Sequence, residues 1–293
     1  MPFVNTDDNV NLYFEEVGSG ESIIFVHEFG GDMRSWEPQM RYFSRHYHCI
    51  AFNARGYPPS EVPEALEQYT QQRAVKDILA IMDHLQLEKA HIVGLSMGGF
   101  AAVHFGLMAP ERAHSLVVAG AGYGAEKHCE EYFRQVSHQV AEQFEQQGSV
   151  QFSKTYSMAA SRITFKIKDP RGWQEFADQL SEHSALGAAM TMRGVQARRP
   201  SLYDLEQPLQ AMTVPVLIIV GDEDDHCLQP AIFMKKTIPA SGLAVFPKSG
   251  HTLNIEEPGL FNQFVGDFMT AVIQDKWLPR DPRSLPSEIM KTS

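Results

Sequence analysis

The sequence predicts an α/β fold built on a mostly parallel sheet, and three observations predict it. Short apolar, β-branched runs recur along the chain, amphipathic stretches of helical period separate them, and one long middle stretch breaks the rhythm without supplying a buried strand. With 293 residues, 43% hydrophobic and 21% charged, the chain has material for a sizeable core and lacks the bias of a disordered, collagen-like or coiled-coil sequence.

Residues 3–16 alternate loosely between apolar and polar, as an antiparallel hairpin feeding the sheet would. The runs 22–27 (SIIFVH), 48–53 (HCIAFN), 90–94 (AHIVG), 115–119 (SLVVA) and 214–221 (VPVLIIVG) are apolar at successive positions, the mark of strands buried on both faces. Between them, residues 74–85 place Val75, Ile78, Leu79, Met82 and Leu85 at helical spacing with Lys76, Asp77 and Asp83 opposite. Repetition of strand, helix and strand puts helices on both faces of a parallel sheet. Residues 122–210 read instead as a helical insertion, with helical patterns at 132–144, 173–180 and 184–192. Residues 261–277 form a long amphipathic helix, and 278–293, with three prolines and scattered charge, read as a surface tail. The expected division is residues 1–121 and 211–277 as two parts of one core, 122–210 as an inserted helical cap, and 278–293 as the tail.

Charge and cysteine content narrow the function classes. Lys and Arg total 25 against 36 Asp and Glu, a formal charge of −11, so polyanions are repelled on average and no nucleic-acid partner is expected. The three cysteines, Cys49, Cys129 and Cys227, show no CxxC spacing, which argues against a disulfide framework and a zinc cluster and for a reducing cytoplasm. No apolar run approaches the roughly 20 residues of a membrane span, and the first eight residues do not resemble a signal peptide. A soluble cytoplasmic protein, monomer or homodimer, without metal or cofactor is the expectation. His46-Tyr-His48 has no further ligand at metal spacing, and His84, His91, His104 and His114 read as structural.

The chemistry concentrates at three places. Residues 94–98 (GLSMG) form a G-x-S-x-G motif between a strand and the helical pattern of residues 100–108. That pentapeptide alone arises by chance in roughly one chain of this length in ten; the strand, sharp turn and helix around it make it specific. Glycines at 94 and 98 let strand and helix pass closely while the turn strains Ser96. A serine hydroxyl needs a base, and the base an orienting carboxylate. Downstream, the strand at 214–220 ends in Gly221-Asp222-Glu223-Asp224-Asp225, offering three aspartates at a strand's carboxyl end, and residues 243–251 lead to His251 in a glycine-containing loop. The order is serine, acid, histidine.

From about residue 12 to residue 277 the sequence resembles the α/β-hydrolase superfamily, in its cap-bearing, esterase-like group. The matching stretches are 26–31 (VHEFGG) with Trp36, 53–60 (NARGYPPS), the Ser96 elbow, 221–224 (GDED) and 249–251 (SGH). The resemblance implies an α/β-hydrolase fold: a mostly parallel eight-stranded sheet flanked by helices, with the cap inserted after the sixth strand. It implies Ser96 as nucleophile, His251 as base, Asp224 rather than Asp222 or Asp225 as the acid, and backbone N–H groups of Phe29 and Met97 as the oxyanion hole. The expected partner is a small-molecule acyl substrate: an ester, lactone, thioester or amide. Carbon–carbon bond hydrolases and acyltransferases use the same triad, and a low-turnover ligand-binding receptor shares the fold.

One residue departs from the pattern. The family reads His-Gly where this chain has His27-Glu28. An ionised carboxylate near a developing oxyanion opposes it. Three fates are open to Glu28: pairing with Arg55 or a cap arginine, binding a cationic or hydroxyl group of the substrate, or positioning a water. In the insertion, Arg193, Arg198 and Arg199 with His183 and Tyr203 form a basic, hydrogen-bonding cluster from which Arg193 and Tyr203 are candidate substrate contacts. Met158, Met190, Met192 and Met212 read as apolar filler suited to an adaptable pocket.

Overall fold

The computed structural model describes residues 2–284. Its strands are β1 (Phe3–Asn5), β2 (Asn11–Gly18), β3 (Ser22–Val26), β4 (His48–Phe52), β5 (Ala90–Leu95), β6 (Ala113–Ala119), β7 (Val216–Gly221) and β8 (Ser241–Phe246). They form one eight-stranded sheet in the order β1-β2-β4-β3-β5-β6-β7-β8. The hairpin β1–β2 is antiparallel and β2 pairs antiparallel with β4, whereas β3 to β8 run parallel. Every residue of β3, β5 and β7 is buried, which is why these segments carry apolar side chains at consecutive positions rather than alternating ones.

Helices α1 (Glu37–Phe43), α2 (Gln71–His84) and α3 (Met97–Met108) follow β3, β4 and β5. At the start of α2 the Thr70 side chain accepts from the Arg73 N–H, and Val75, Ile78, Ile81 and Met82 face inward. Helix α3 is apolar nearly all round because it lies against the sheet and beneath α2. Two apolar layers result. One joins α2 and α3 to the sheet face that carries Ile24, Ile92 and Val118, the other joins Trp36 and Phe43 to the face that carries Phe25 and Val93.

Residues 120–215 connect β6 to β7 and carry α4 (Glu130–Tyr156), α5 (Ala160–Lys168), α6 (Pro170–Ser181), α7 (Ala185–Thr191) and α8 (Glu206–Gln210), with a π-helical turn at Met192–Gln196. Helix α4 breaks at Gly148, whose φ of 73° is left-handed. The pattern at residues 132–144 captures only the first half of α4, and α5 is absent from the sequence reading. After β7 come α9 (Asp225–Thr237), α10 (Leu253–Glu256) and α11 (Pro258–Ile273). The expected tail is exposed over residues 278–284, and its remainder, 285–293, lies outside the described residues. Cys49, Cys129 and Cys227 are free thiols. Among the described residues no helix is long and apolar enough to cross a membrane.

Ile92, fully buried in central β5, has no room to be replaced by solvent. Ile92→Ala is expected to cost about 2–5 kcal/mol. Val17→Ala, in the part of β2 that extends past its pairing with β1 and 46% exposed, is expected to stay within about 0.5 kcal/mol. Urea midpoints at constant m-value read both.

Candidate active site

The turn between β5 and α3 holds Ser96 at φ 55° and ψ −111°, a conformation that costs a non-glycine residue on the order of 1–3 kcal/mol. Close backbone packing maintains it. A Cβ at Gly94 would lie 2.0 Å from the Gly98 carbonyl oxygen, and one at Gly98 would lie 2.0 Å from the carbonyl oxygen of Val26. Only hydrogen fits at either position. Met97 opens α3, so its N–H belongs to the first turn, where helical donors lack intrahelical acceptors.

The second group comes from the ends of β7 and β8. Asp224, which precedes α9, lies 2.8 Å through Oδ2 from Nδ1 of His251, and both residues are buried. The ring therefore carries its proton on Nδ1, donates it to the carboxylate and leaves Nε2 as an acceptor. Desolvation opposes a charge on His251, but the Asp224 charge and hydrogen bond outweigh it, so the imidazole pKa rises above the ordinary 6.5; Arg162 pulls it down and Glu28 pushes it up. Asp224 is likewise opposed by desolvation, yet the His251 charge and bond hold its pKa below that of an ordinary carboxylate.

Serine and imidazole occupy the same rim of the sheet. The Ser96 N–H donates to the Ala119 carbonyl at 2.8 Å, and a Cβ on the next residue, Gly120, would lie 3.4 Å from both Cε1 and Nδ1 of the His251 ring. The Gly120 carbonyl accepts from the buried Cys227 thiol at 3.2 Å. Cys227, Asp224 and His251 have potential metal-ligand atoms within 4.8 Å of one another, as do Glu126, His128 and Cys129.

The loop after β3 faces this group. His27 is fully buried: its Nε2 accepts from the Ala54 N–H at 3.0 Å, so its proton sits on Nδ1 and is donated to the Glu28 carbonyl at 2.7 Å. Burial lowers the His27 pKa and keeps it neutral. Phe29 follows, its carbonyl accepting from Tyr57 Oη at 2.9 Å and its ring set edge-on to Phe144 and Tyr156.

Glu28 and Arg162 are each 1% exposed and form a two-pronged ion pair, Nη1 to Oε1 at 2.8 Å and Nη2 to Oε2 at 2.5 Å. Desolvation works against the Glu28 carboxylate, but the guanidinium overrides it and holds its pKa below the usual range. Of the three fates open to Glu28, pairing with an arginine of the segment between β6 and β7 is the one observed. Arg55, the other arginine named for it, binds Asp77 and Asp8 instead.

The two candidate substrate contacts of the insertion each have a partner within the chain. Arg193 spends its guanidinium on Glu145 at 2.7 Å, and Tyr203 stacks on Phe233 of α9 at 4.2 Å between centroids. Arg193 thus pairs within residues 120–215, whereas Tyr203 packs against a helix that follows β7. His183 lies 3.4 Å from Asp32 in the loop after β3, and Arg199 rests 3.7 Å over the Phe100 ring. The sequence reading did not single out Arg162 among the arginines, nor place Cys227 beside Asp224 and His251. Residues 163–167 (ITFKI) alternate with period two, masking the helix that carries Arg162, and a lone cysteine has no motif.

A family model described as the alpha/beta hydrolase fold matches residues 21–258. The chain belongs to that family. It is 26% identical over 284 residues to a putative 2-succinyl-6-hydroxy-2,4-cyclohexadiene-1-carboxylate synthase of Bacillus subtilis, covering 92% of this chain and 98% of that one. It is 28% identical over 252 residues to 3-oxoadipate enol-lactonase 1 of Acinetobacter baylyi, covering 86% and 89%. Among solved structures, a thermophilic esterase from Thermogutta terrifontis matches with a TM-score of 0.81 at 24% identity, over 92% of this chain and 98% of that one. These relatives are named as enzymes, and this chain is an enzyme of the hydrolase superfamily.

Two measurements follow. Arg162→Met leaves the Glu28 carboxylate buried without its counter-charge and is expected to cost about 3–5 kcal/mol in urea. The folded chain holds the His251 proton more tightly than the unfolded chain, a contribution fully present below pH 6.5 and lost as pH rises through the higher folded value. Asp224→Asn should remove it and lower the midpoint at which the His251 ring titrates by NMR.

Proposed function

We propose that this chain is a serine hydrolase that cleaves a small carboxylic ester, lactone, thioester or amide. Ser96 attacks the carbonyl carbon while Nε2 of His251 takes its proton, and Asp224 steadies the imidazolium that forms. The N–H groups of Phe29 and Met97 receive the oxyanion, aided by the positive end of α3. His251 then returns the proton to the leaving group, and a water that it deprotonates clears the acyl-enzyme. Residues 122–210 act as a cap that excludes water and shapes the pocket.

The observation that carries this reading is the buried 2.8 Å bond between Asp224 and His251 on the rim where the strained Ser96 turn lies. It fixes the tautomer that a general base needs. The aromatic cluster joining Phe29 and Met97 to Phe144, Phe152 and Met192 supports an acyl group that is largely apolar. The likeness to a protein named as an enol-lactonase favours cyclic and enol esters as first substrates to try.

A fluorophosphonate probe should modify Ser96, and His251→Ala should abolish the modification. Asp224→Asn should slow turnover of an ester or lactone panel by about 10⁴-fold. Because the base must be unprotonated and its pKa lies above 6.5, kcat/KM should fall as pH drops through a midpoint above that value. An inert Ser96 in folded protein would sink the enzyme reading in favour of a ligand-binding receptor.

A further inference from the structure

Helix α5 touches both loops that carry the proposed chemistry. Its Ser161, Thr164 and Lys168 fall at i, i+3 and i+7 and share one face. The Ser161 carbonyl accepts from the His251 N–H at 3.4 Å. Thr164 Oγ1 donates to Glu256 Oε2 at 3.3 Å, and that carboxylate accepts the Gly250 N–H at 3.0 and 3.1 Å. Lys168 pairs with Glu256 at 3.0 Å and with Glu257 at 2.5 Å. On the neighbouring stripe Arg162 reaches Glu28, and its Nη2 also donates to Tyr156 Oη at 3.1 Å. The rings of Tyr156 and Phe176 flank the guanidinium at 5.2 and 5.0 Å. A Cβ at Gly30 would meet Tyr156, Phe176 and Arg162 within 3.3 Å, so the loop after β3 is seated directly against this cluster.

We propose that Arg162 is a positioning residue: through Glu28 it clamps the Phe29 loop to the His251 loop, and it cancels the charge that Glu28 would otherwise set beside the nascent oxyanion. The inference rests on the serine-hydrolase reading for its catalytic meaning, and on geometry alone for the clamp. A lone carboxylate at position 28 would oppose the negative charge forming at the Phe29 N–H. Paired in a planar fork, it contributes almost no net field and locks the loop against a helix already tied to residues 250–257. The groups facing His251 are Asp224 from the end of β7, Cys227 of α9, Glu28 from the loop after β3 and Arg162 of α5; Glu256 and Lys168 lie behind Gly250. Only Glu28 and Arg162 change in the test.

The His251 ring is titrated by NMR in the parent chain, Glu28→Gln, Arg162→Gln and the double variant, and the rate of fluorophosphonate labelling is measured on the same samples. In Glu28→Gln the midpoint should fall, and in Arg162→Gln rise, by about 1 pH unit. The double variant should return towards the parent value. Labelling should slow by about 10-fold or more in Arg162→Gln and recover in the double variant. Should Arg162→Gln not fold, Arg162→Lys keeps the charge but not the fork, and is expected to hold the titration midpoint while losing labelling rate. Unmoved midpoints in the single variants, or a double variant no better than either, would overturn the proposal. If even the parent chain resists labelling, the hydrolase reading fails, and the titration still decides whether Arg162 cancels the Glu28 charge beside His251.

Discussion

The close passage of three backbones at the turn after β5 is the constraint on which the rest depends. Strand β3, strand β5 and helix α3 meet where a side chain at Gly94 or Gly98 would occupy the same space as a carbonyl oxygen. Ser96 is thereby lifted into a left-handed φ that isolated serine avoids. The strain persists because the surroundings over-determine it: β5 is fully buried and α3 is apolar on nearly every side. A looser core would let the turn relax and lower the hydroxyl.

Around that turn, charge is arranged in tight pairs at low exposure. Asp224 with His251, Glu28 with Arg162, and Asp77 with Arg55 all sit where isolated ions would be costly. The pairs do different jobs. Arg55 ties the segment after β4 to α2 and to Asp8 in the β1–β2 turn, setting the framework behind the site. Glu28 and Arg162 join the loop after β3 to a helix from residues 120–215. Of the three pairs, only Asp224 with His251 contains an imidazole, bonded to the carboxylate through Nδ1, and the proposed acid–base role rests on it.

Local signals were legible wherever period and punctuation agreed. The buried runs of β3 to β7, the amphipathic period of α2 and the glycine-framed serine each announced themselves over a few residues, and the antiparallel opening hairpin followed from simple alternation. Helix α5 failed that test. Ile163, Phe165 and Ile167 alternate like a strand, yet Ile167 is exposed while Arg162 and Phe165 are buried, so tertiary packing overrode the local pattern. The second half of α4 was lost for a related reason, since Gly148 breaks the helical pattern where the chain bends.

The amino-acid order by itself determined the sheet, the elbow and the sequence of serine, acid and histidine, because those features are encoded by neighbours a few residues apart. Only the tertiary structure decided which arginine would answer Glu28. The two residues are 134 positions apart, and partner choice among several arginines depends on which helix face is buried opposite which loop. The same holds for Arg193 and Tyr203, whose partners Glu145 and Phe233 no local pattern named. Long-range pairing of charges is a property of packed surfaces, and no local periodicity records it.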